Sequence, residues 1–102
     1  MDRIARIKEF LKDSPNDSFL KHALALEYIK IGDDSAARSL FEELLAYEPG
    51  YVGSYYHLGR LLERAGLPQE AIAVFEKGMQ MAKEANDRHA YNELQAALDD
   101  LI

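Results

Sequence analysis

The sequence repeats itself at a spacing of 34 residues, and this internal period constrains the fold more than any other feature. The shift places Leu24 on Leu58, Gly32 on Gly66, Ala37 on Ala71, Phe41 on Phe75, Glu42 on Glu76 and Pro15 on Pro49. A helical hairpin needs these residue types at fixed places: leucine on an inner face, glycine at a turn, alanine where helices cross and phenylalanine in the core. A period of about 20 to 50 residues is typical of proteins built from stacked repeats.

Periodic apolar residues predict the helices within each period. The first helix has its stripe at Leu20, Leu24, Tyr28 and Ile31, and Gly32 suits a left-handed cap at its end. Asp34 or Ser35 is expected to cap the second helix, which Pro49 stops. Its stripe comprises Ala37, Leu40, Phe41, Leu44 and Leu45.

The second period repeats this pattern. A third helix is predicted over 52–65, ended by Gly66, and a fourth begins at Pro68, a residue that a first helical position tolerates. The fourth runs to about residue 85, where Asn86 and Asp87 supply a break and a new cap.

Each end of the chain predicts one further helix. Residues 2–13 carry Ile4, Ile7, Phe10 and Leu11, and residues 87–101 carry Tyr91, Leu94, Leu98 and Leu101. The residues expected to face away from the second stripe are Asn92, Glu93, Gln95, Asp99 and Asp100. The chain is therefore predicted to be all-α with about six helices.

These residues resemble the tetratricopeptide repeat (TPR) family, whose pattern is W-x2-L-G-x2-Y, then A-x3-F, then P. The first repeat matches at Leu24, Ala25, Tyr28, Ala37, Phe41 and Pro49, and the second at Tyr55, Leu58, Gly59, Ala71 and Phe75. Lys21 replaces the large aromatic residue, Leu62 the tyrosine and Lys83 the proline. The resemblance implies a right-handed superhelix of antiparallel helix hairpins, with an N-terminal half-repeat over 1–17, repeats over 18–51 and 52–85, and a capping helix over 86–102.

Composition argues against most chemistry. The chain has no cysteine and a net charge of −6, which disfavours a thiol nucleophile, a thiolate metal site and a nucleic-acid partner. Its histidines, His22, His57 and His89, lack a ligand at the spacing of a helical zinc site. No phosphate loop, dinucleotide fingerprint or nucleophile motif is present. We therefore expect no enzyme activity, no cofactor, no metal and no membrane segment, and by default a cytoplasmic location.

The resemblance implies a peptide-binding concave groove lined by the first helix of each hairpin. Carried onto this chain, the groove residues are Phe19, His22, Leu26, Tyr56, His57, Arg60, Arg64 and Tyr91. Arg60 and Arg64 lie four residues apart and would suit an anionic partner, although Glu63 can instead screen both. For two of these residues a core role is expected instead. Phe19 would staple the first helix to its neighbour, and Tyr91 would pack the capping helix against the second repeat.

Two functions stay open at this point. One is a non-catalytic adaptor that binds a peptide or a partner helix. The alternative is a structural role through self-association, by way of the groove or an exposed end of the repeat array, in which Tyr47, Met79 and Met81 would matter more.

Overall fold

The computed structural model describes residues 2–102, and these form six helices with no strand among them. The helices are α1 (Arg3–Asp13), α2 (Ser18–Lys30), α3 (Asp34–Tyr47), α4 (Gly53–Arg64), α5 (Pro68–Glu84) and α6 (Arg88–Asp99). The predicted all-α fold is confirmed. Within the described residues, no helix is both long and apolar enough to span a bilayer.

Aspartates cap the N-termini of four of the six described helices. The carboxylates of Asp2, Asp17, Asp33 and Asp87 each accept a hydrogen bond from the backbone N–H three residues on, at 2.8–3.1 Å. This contact satisfies an N–H group that the first helical turn leaves without a partner. The capping prediction is correct for Asp87, but for α3 the cap is Asp33 rather than Asp34 or Ser35, because the helix already begins at Asp34.

Glycines in the left-handed backbone conformation end the first helix of each hairpin, as predicted. Gly32 has φ of 83° and Gly66 has φ of 77°, a region that glycine enters without steric cost. Asn86 takes the same conformation after α5, with φ of 57°. Asparagine is among the few other residues that tolerate it. Pro68 is the first residue of α5, as the sequence predicted.

The chain divides into two compact units, one ending at Glu48 and the other spanning Pro49–Ile102. In the first unit, α2 packs against both α1 and α3. The buried apolar residues there are Ile7, Leu24, Ala25, Ala37, Phe41 and Leu44. Two residues of the predicted stripes do not join this core, since Phe10 is 56% exposed and Ile31, just past the end of α2, is 65% exposed.

In the second unit, α5 packs against α4 and α6, and α4 also touches α6. Its buried apolar residues are Tyr55, Leu58, Leu61, Leu62, Ala71, Phe75, Ala82, Leu94, Ala97 and Leu98. Glycines let α4 and α5 approach closely: a Cβ at Gly59 would overlap the ring of Phe75, and one at Gly78 would lie 2.6 Å from Cβ of Tyr55. Tyr55 is a core residue, as predicted, and its hydroxyl donates to the carbonyl oxygen of Pro49 at 2.6 Å.

The first unit places a lysine where the second has this tyrosine. Lys21 is 4% exposed, and its Nζ donates to Oε1 of Glu43 at 2.8 Å. Nearby in sequence, the hydroxyl of Ser18 donates to Oε1 of Glu48 at 2.6 Å, which ties the start of α2 to the end of α3. The hairpin of the first unit is thus held partly by polar contacts, one of them made by a lysine at the place that the sequence pattern reserves for a large aromatic residue.

Candidate functional site

Three of the predicted groove residues lie on α2, in the first unit. Phe19 is 69% exposed, whereas His22 and Leu26 are half-buried. The core role expected for Phe19 is wrong, because this residue precedes buried Lys21 by two positions and therefore projects from the opposite side of the helix. The imidazole of His22 packs edge-on against the ring of Phe41, with the ring centroids 5.4 Å apart, so His22 also supports the core.

A second set lies on α4, in the second unit, where Tyr56, His57 and Arg60 form one cluster. The rings of Tyr56 and His57 meet edge to face at a centroid distance of 5.6 Å. The guanidinium of Arg60 lies 5.2 Å from the centroid of the Tyr56 ring, and its Nε donates to the tyrosine hydroxyl at 3.2 Å. All three side chains are half-buried, because they lie beside the buried face of α4 without being part of it.

Acidic residues complete this cluster. One terminal nitrogen of Arg60 donates to Oε2 of Glu63 at 2.8 Å, while the other lies 3.9 Å from Oδ2 of Asp100, too far for a direct hydrogen bond. The hydrogen bonds from Arg60 to Tyr56 and to Glu63 raise the pKa of the guanidinium, so Arg60 stays charged. Glu63 therefore partners Arg60, as one sequence interpretation expected, while Arg64 is exposed one turn further on.

His57 has a different electrostatic environment. Burial lowers the pKa of its imidazole, and the nearby carboxylate of Glu93 opposes this effect without reversing it. The neutral form of His57 is consequently favoured near neutral pH. The α4 cluster thus combines two aromatic surfaces with a single permanent positive charge, which suits binding more than proton transfer.

Tyr91 lies elsewhere in the second unit, on the first turn of α6. It is half-buried and borders an open cavity of about 540 Å³ whose other lining residues are Ala82, Lys83, Asn86, Asp87, Arg88 and Asn92. None of the α4 cluster residues lines this cavity. Of the eight predicted groove residues, three therefore lie on α2, four on α4 and one on α6, and their role in binding stays a prediction.

Two features of these surfaces escaped the sequence analysis. The ion pair of buried Lys21 with exposed Glu43 is one, although the 34-residue shift that places Lys21 on core Tyr55 was a usable signal. The other is the proximity of Glu93, on α6, and of Asp100, just past its end, to the α4 cluster, which no local sequence pattern predicts. Within residues 2–102, no group of three potential ligands could hold a metal ion.

The residues proposed for self-association also differ in accessibility. Tyr47, near the end of α3, is 62% exposed, while Met79 and Met81 are half-buried in α5. Of these three residues, only Tyr47 presents most of its side chain.

Comparison with known proteins identifies relatives over most of the chain. The tetratricopeptide repeat family model matches residues 22–85. The crystal structure of a tetratricopeptide repeat domain protein from Salinibacter ruber has 41% identity and a TM-score of 0.81, covering 83% of this chain and 94% of that one. A solution structure from Bordetella parapertussis covers 99% of this chain and 88% of its own, with a TM-score of 0.84 and 24% identity, which supports the fold alone.

Human aspartyl/asparaginyl beta-hydroxylase is 30% identical to this chain over 73 residues. The match includes 72% of this chain but only 10% of the hydroxylase. The similarity therefore concerns a small part of that enzyme.

Proposed function

Because the chain belongs to the tetratricopeptide repeat family, we propose that it is a non-catalytic interaction module whose α4 cluster binds a peptide or a partner helix. Proteins of this family bind protein partners. We assign repeats to 18–51 and 52–85, flanked by a half-repeat over 1–17 and a capping helix over 86–102. The cytoplasmic location stays a prediction.

The observation that carries this proposal is the α4 cluster. Tyr56 and His57 offer ring surfaces that an apolar side chain of a partner can cover, and Arg60 offers a charged fork beside them. Aromatic residues and arginine are the types that contribute most at protein interfaces. Because they are half-buried and held by their neighbours, these side chains lose little conformational freedom on binding.

The proposed partner carries a carboxylate. Glu63 occupies one edge of the Arg60 guanidinium at 2.8 Å, but Asp100 stands 3.9 Å from the other edge. A partner carboxylate that replaced Asp100 at this edge would form a charge-assisted hydrogen bond at normal length. Exposed Arg64, one turn along the helix, would strengthen the attraction at longer range.

A phage-displayed library of random peptides tests the proposal. Enriched peptides should carry an acidic residue or use their C-terminal carboxylate, and should shift the backbone amide NMR signals of α4 on titration. Arg60→Glu should weaken binding at least about tenfold, since a hydrogen bond to a charged group contributes roughly 1.5–3 kcal/mol.

Lys77→Glu is the matched control, because it makes the same charge change on an exposed residue of α5. It should leave affinity within about twofold, the size of a rim effect. Equal losses in both variants would show that overall charge decides binding. NMR signal changes confined to the residues that line the cavity beside Tyr91 would indicate that the peptide binds there and not at α4.

A further inference from the structure

The face of α1 that bears Phe10 is exposed in the described part of the chain. The 34-residue shift places Phe10 on Leu44 of α3 and on Gly78 of α5. Both of those residues are buried, and Gly78 lies against Tyr55 of α4, the helix that precedes α5. In the first unit α1 packs against α2, and Phe10 is 56% exposed.

Two exposed charges flank Phe10 on this face. Arg6 precedes it by one turn and Asp13 follows it by three residues, so all three share one side of the helix. Among residues 2–102, the side chains of Arg6 and Asp13 have no ion-pair or hydrogen-bond partner.

The other charged side chains of α1 are engaged. Arg3 pairs with Glu27 at 3.1 Å, Lys12 pairs with Glu9 at 3.1 Å, and Nζ of Lys8 lies over the ring of Tyr28. The unpaired charges of α1 are therefore concentrated around its exposed aromatic residue.

We propose that this face, formed by Arg6, Phe10 and Asp13, is a dimerisation surface that binds the same face of a second copy. Two α1 helices packed antiparallel about a two-fold axis would bring Phe10 of each copy against Phe10 of the other. Arg6 of each copy would then pair with Asp13 of the other, because an antiparallel arrangement exchanges positions equidistant from the axis.

The charge pattern is what selects a second copy as the partner. One cation and one anion lie seven residues, or about 10 Å, apart along the helix, and the axis passes between them. The arrangement is complementary to itself, as a two-fold interface requires. Glu9 lies close to the axis, but its bond to Lys12 offsets the repulsion between the two copies of it.

The dimer is weak. Helix α1 has 11 residues and is about 16 Å long, so the paired faces fall in the smallest class of protein interfaces. We therefore expect a dissociation constant of about 0.1–1 mM. The inference does not rest on the α4 cluster, which contributes no residue to the face.

Sedimentation velocity across about 10 μM to 1 mM tests the proposal over the range in which such a dimer forms. The wild-type protein should shift from monomer towards dimer as the concentration rises, with at least about half of the chains dimeric at 1 mM. Phe10→Ala should remain monomeric at every concentration, with an unchanged circular dichroism spectrum because Phe10 is mostly exposed.

Charge reversal identifies the interface. Arg6→Asp and Asp13→Arg should each weaken self-association about tenfold, since every substitution acts twice in a symmetric dimer. An equimolar mixture of these two variants should associate as well as wild type, because both cross-pairs are then of opposite sign. Tyr47→Ala is the control on an exposed aromatic residue outside the face and should dimerise normally.

Three results would overturn the inference. The first is a wild-type monomer throughout the range. The second is charge variants that dimerise like wild type, and the third is a mixture that fails to associate while the wild type does. None of these results depends on whether a peptide binds α4, so the two proposals fail separately.

Discussion

Replacing Gly78 with alanine should destabilise the second unit, although alanine is the better helix former. A Cβ at this position would lie 2.6 Å from Cβ of Tyr55, 2.9 Å from Cγ of the same residue and 3.0 Å from Cδ1 of Leu94. Ordinary contacts between carbon atoms are about 3.5–4 Å. Cβ of Tyr55 is attached directly to the α4 backbone, so no rotamer change removes the overlap, and α4 and α5 must separate by about 1 Å.

The expected loss follows from two opposing effects. Alanine in place of glycine favours a helix interior by about 1 kcal/mol, whereas overpacking a core costs roughly 1–3 kcal/mol. Because the clash is with a backbone-tethered atom of a residue that is 4% exposed, the cost should lie near the upper end. We expect a net decrease of about 1–2 kcal/mol in the free energy of unfolding.

Urea unfolding followed by circular dichroism measures this change. Gly53→Ala is the matched control, since it makes the same substitution at the first residue of α4, where an added Cβ meets nothing within 4 Å. The control should be neutral or slightly stabilising. A Gly78→Ala protein as stable as the control would refute the reasoning, because it would mean that the helices separate at no cost.

Two further substitutions test the polar groups of the core. Glu43→Gln should lower the free energy of unfolding by about 1 kcal/mol because it leaves buried Lys21 without its anion. Lys21→Met, which removes the buried charge itself, should be neutral or stabilising. Equal losses of stability for the two variants in urea unfolding would contradict this expectation. Burial lowers the pKa of His57, so the unfolded chain binds this proton more readily, and stability should fall as the pH drops from 6.5 toward the lowered value. The midpoint of urea unfolding, measured against pH, should therefore vary less over this range in His57→Gln and more in Glu93→Gln. A pH dependence that His57→Gln leaves unchanged would exclude His57 as its source.

The helices were predictable because their signals are local. The spacing of apolar residues within α2 and α4, together with Gly32 and Gly66, depends on nothing outside each hairpin. The choice of Asp33 over Asp34 as a cap was not predictable, because adjacent aspartates have the same capping chemistry and only the backbone conformation separates them.

Burial and partnership were harder to predict, because they depend on residues distant in sequence. An apolar residue such as Phe10 is buried only if some helix lies opposite it, and the stripe of α1 says nothing about that helix. Arg60 lies 3.9 Å from Asp100, forty residues further along the chain, a neighbour that no short pattern reveals. The 34-residue period did contain one unused indication, since it placed Lys21 where Tyr55 is buried.

The close approach of Gly78 to Tyr55 also limits how freely the two hairpins could exchange parts. In the second hairpin, bulky Tyr55 of the first helix lies against Gly78 of the second, which has no side chain. The 34-residue shift places Lys21 at the position of Tyr55 and Leu44 at the position of Gly78. A recombinant that joined α4 to α3 would set tyrosine against leucine, and one that joined α2 to α5 would leave a void beside the lysine stem. Substitutions at these two positions should therefore be tolerated in pairs rather than singly, so the hairpins share a length and a pattern without being interchangeable.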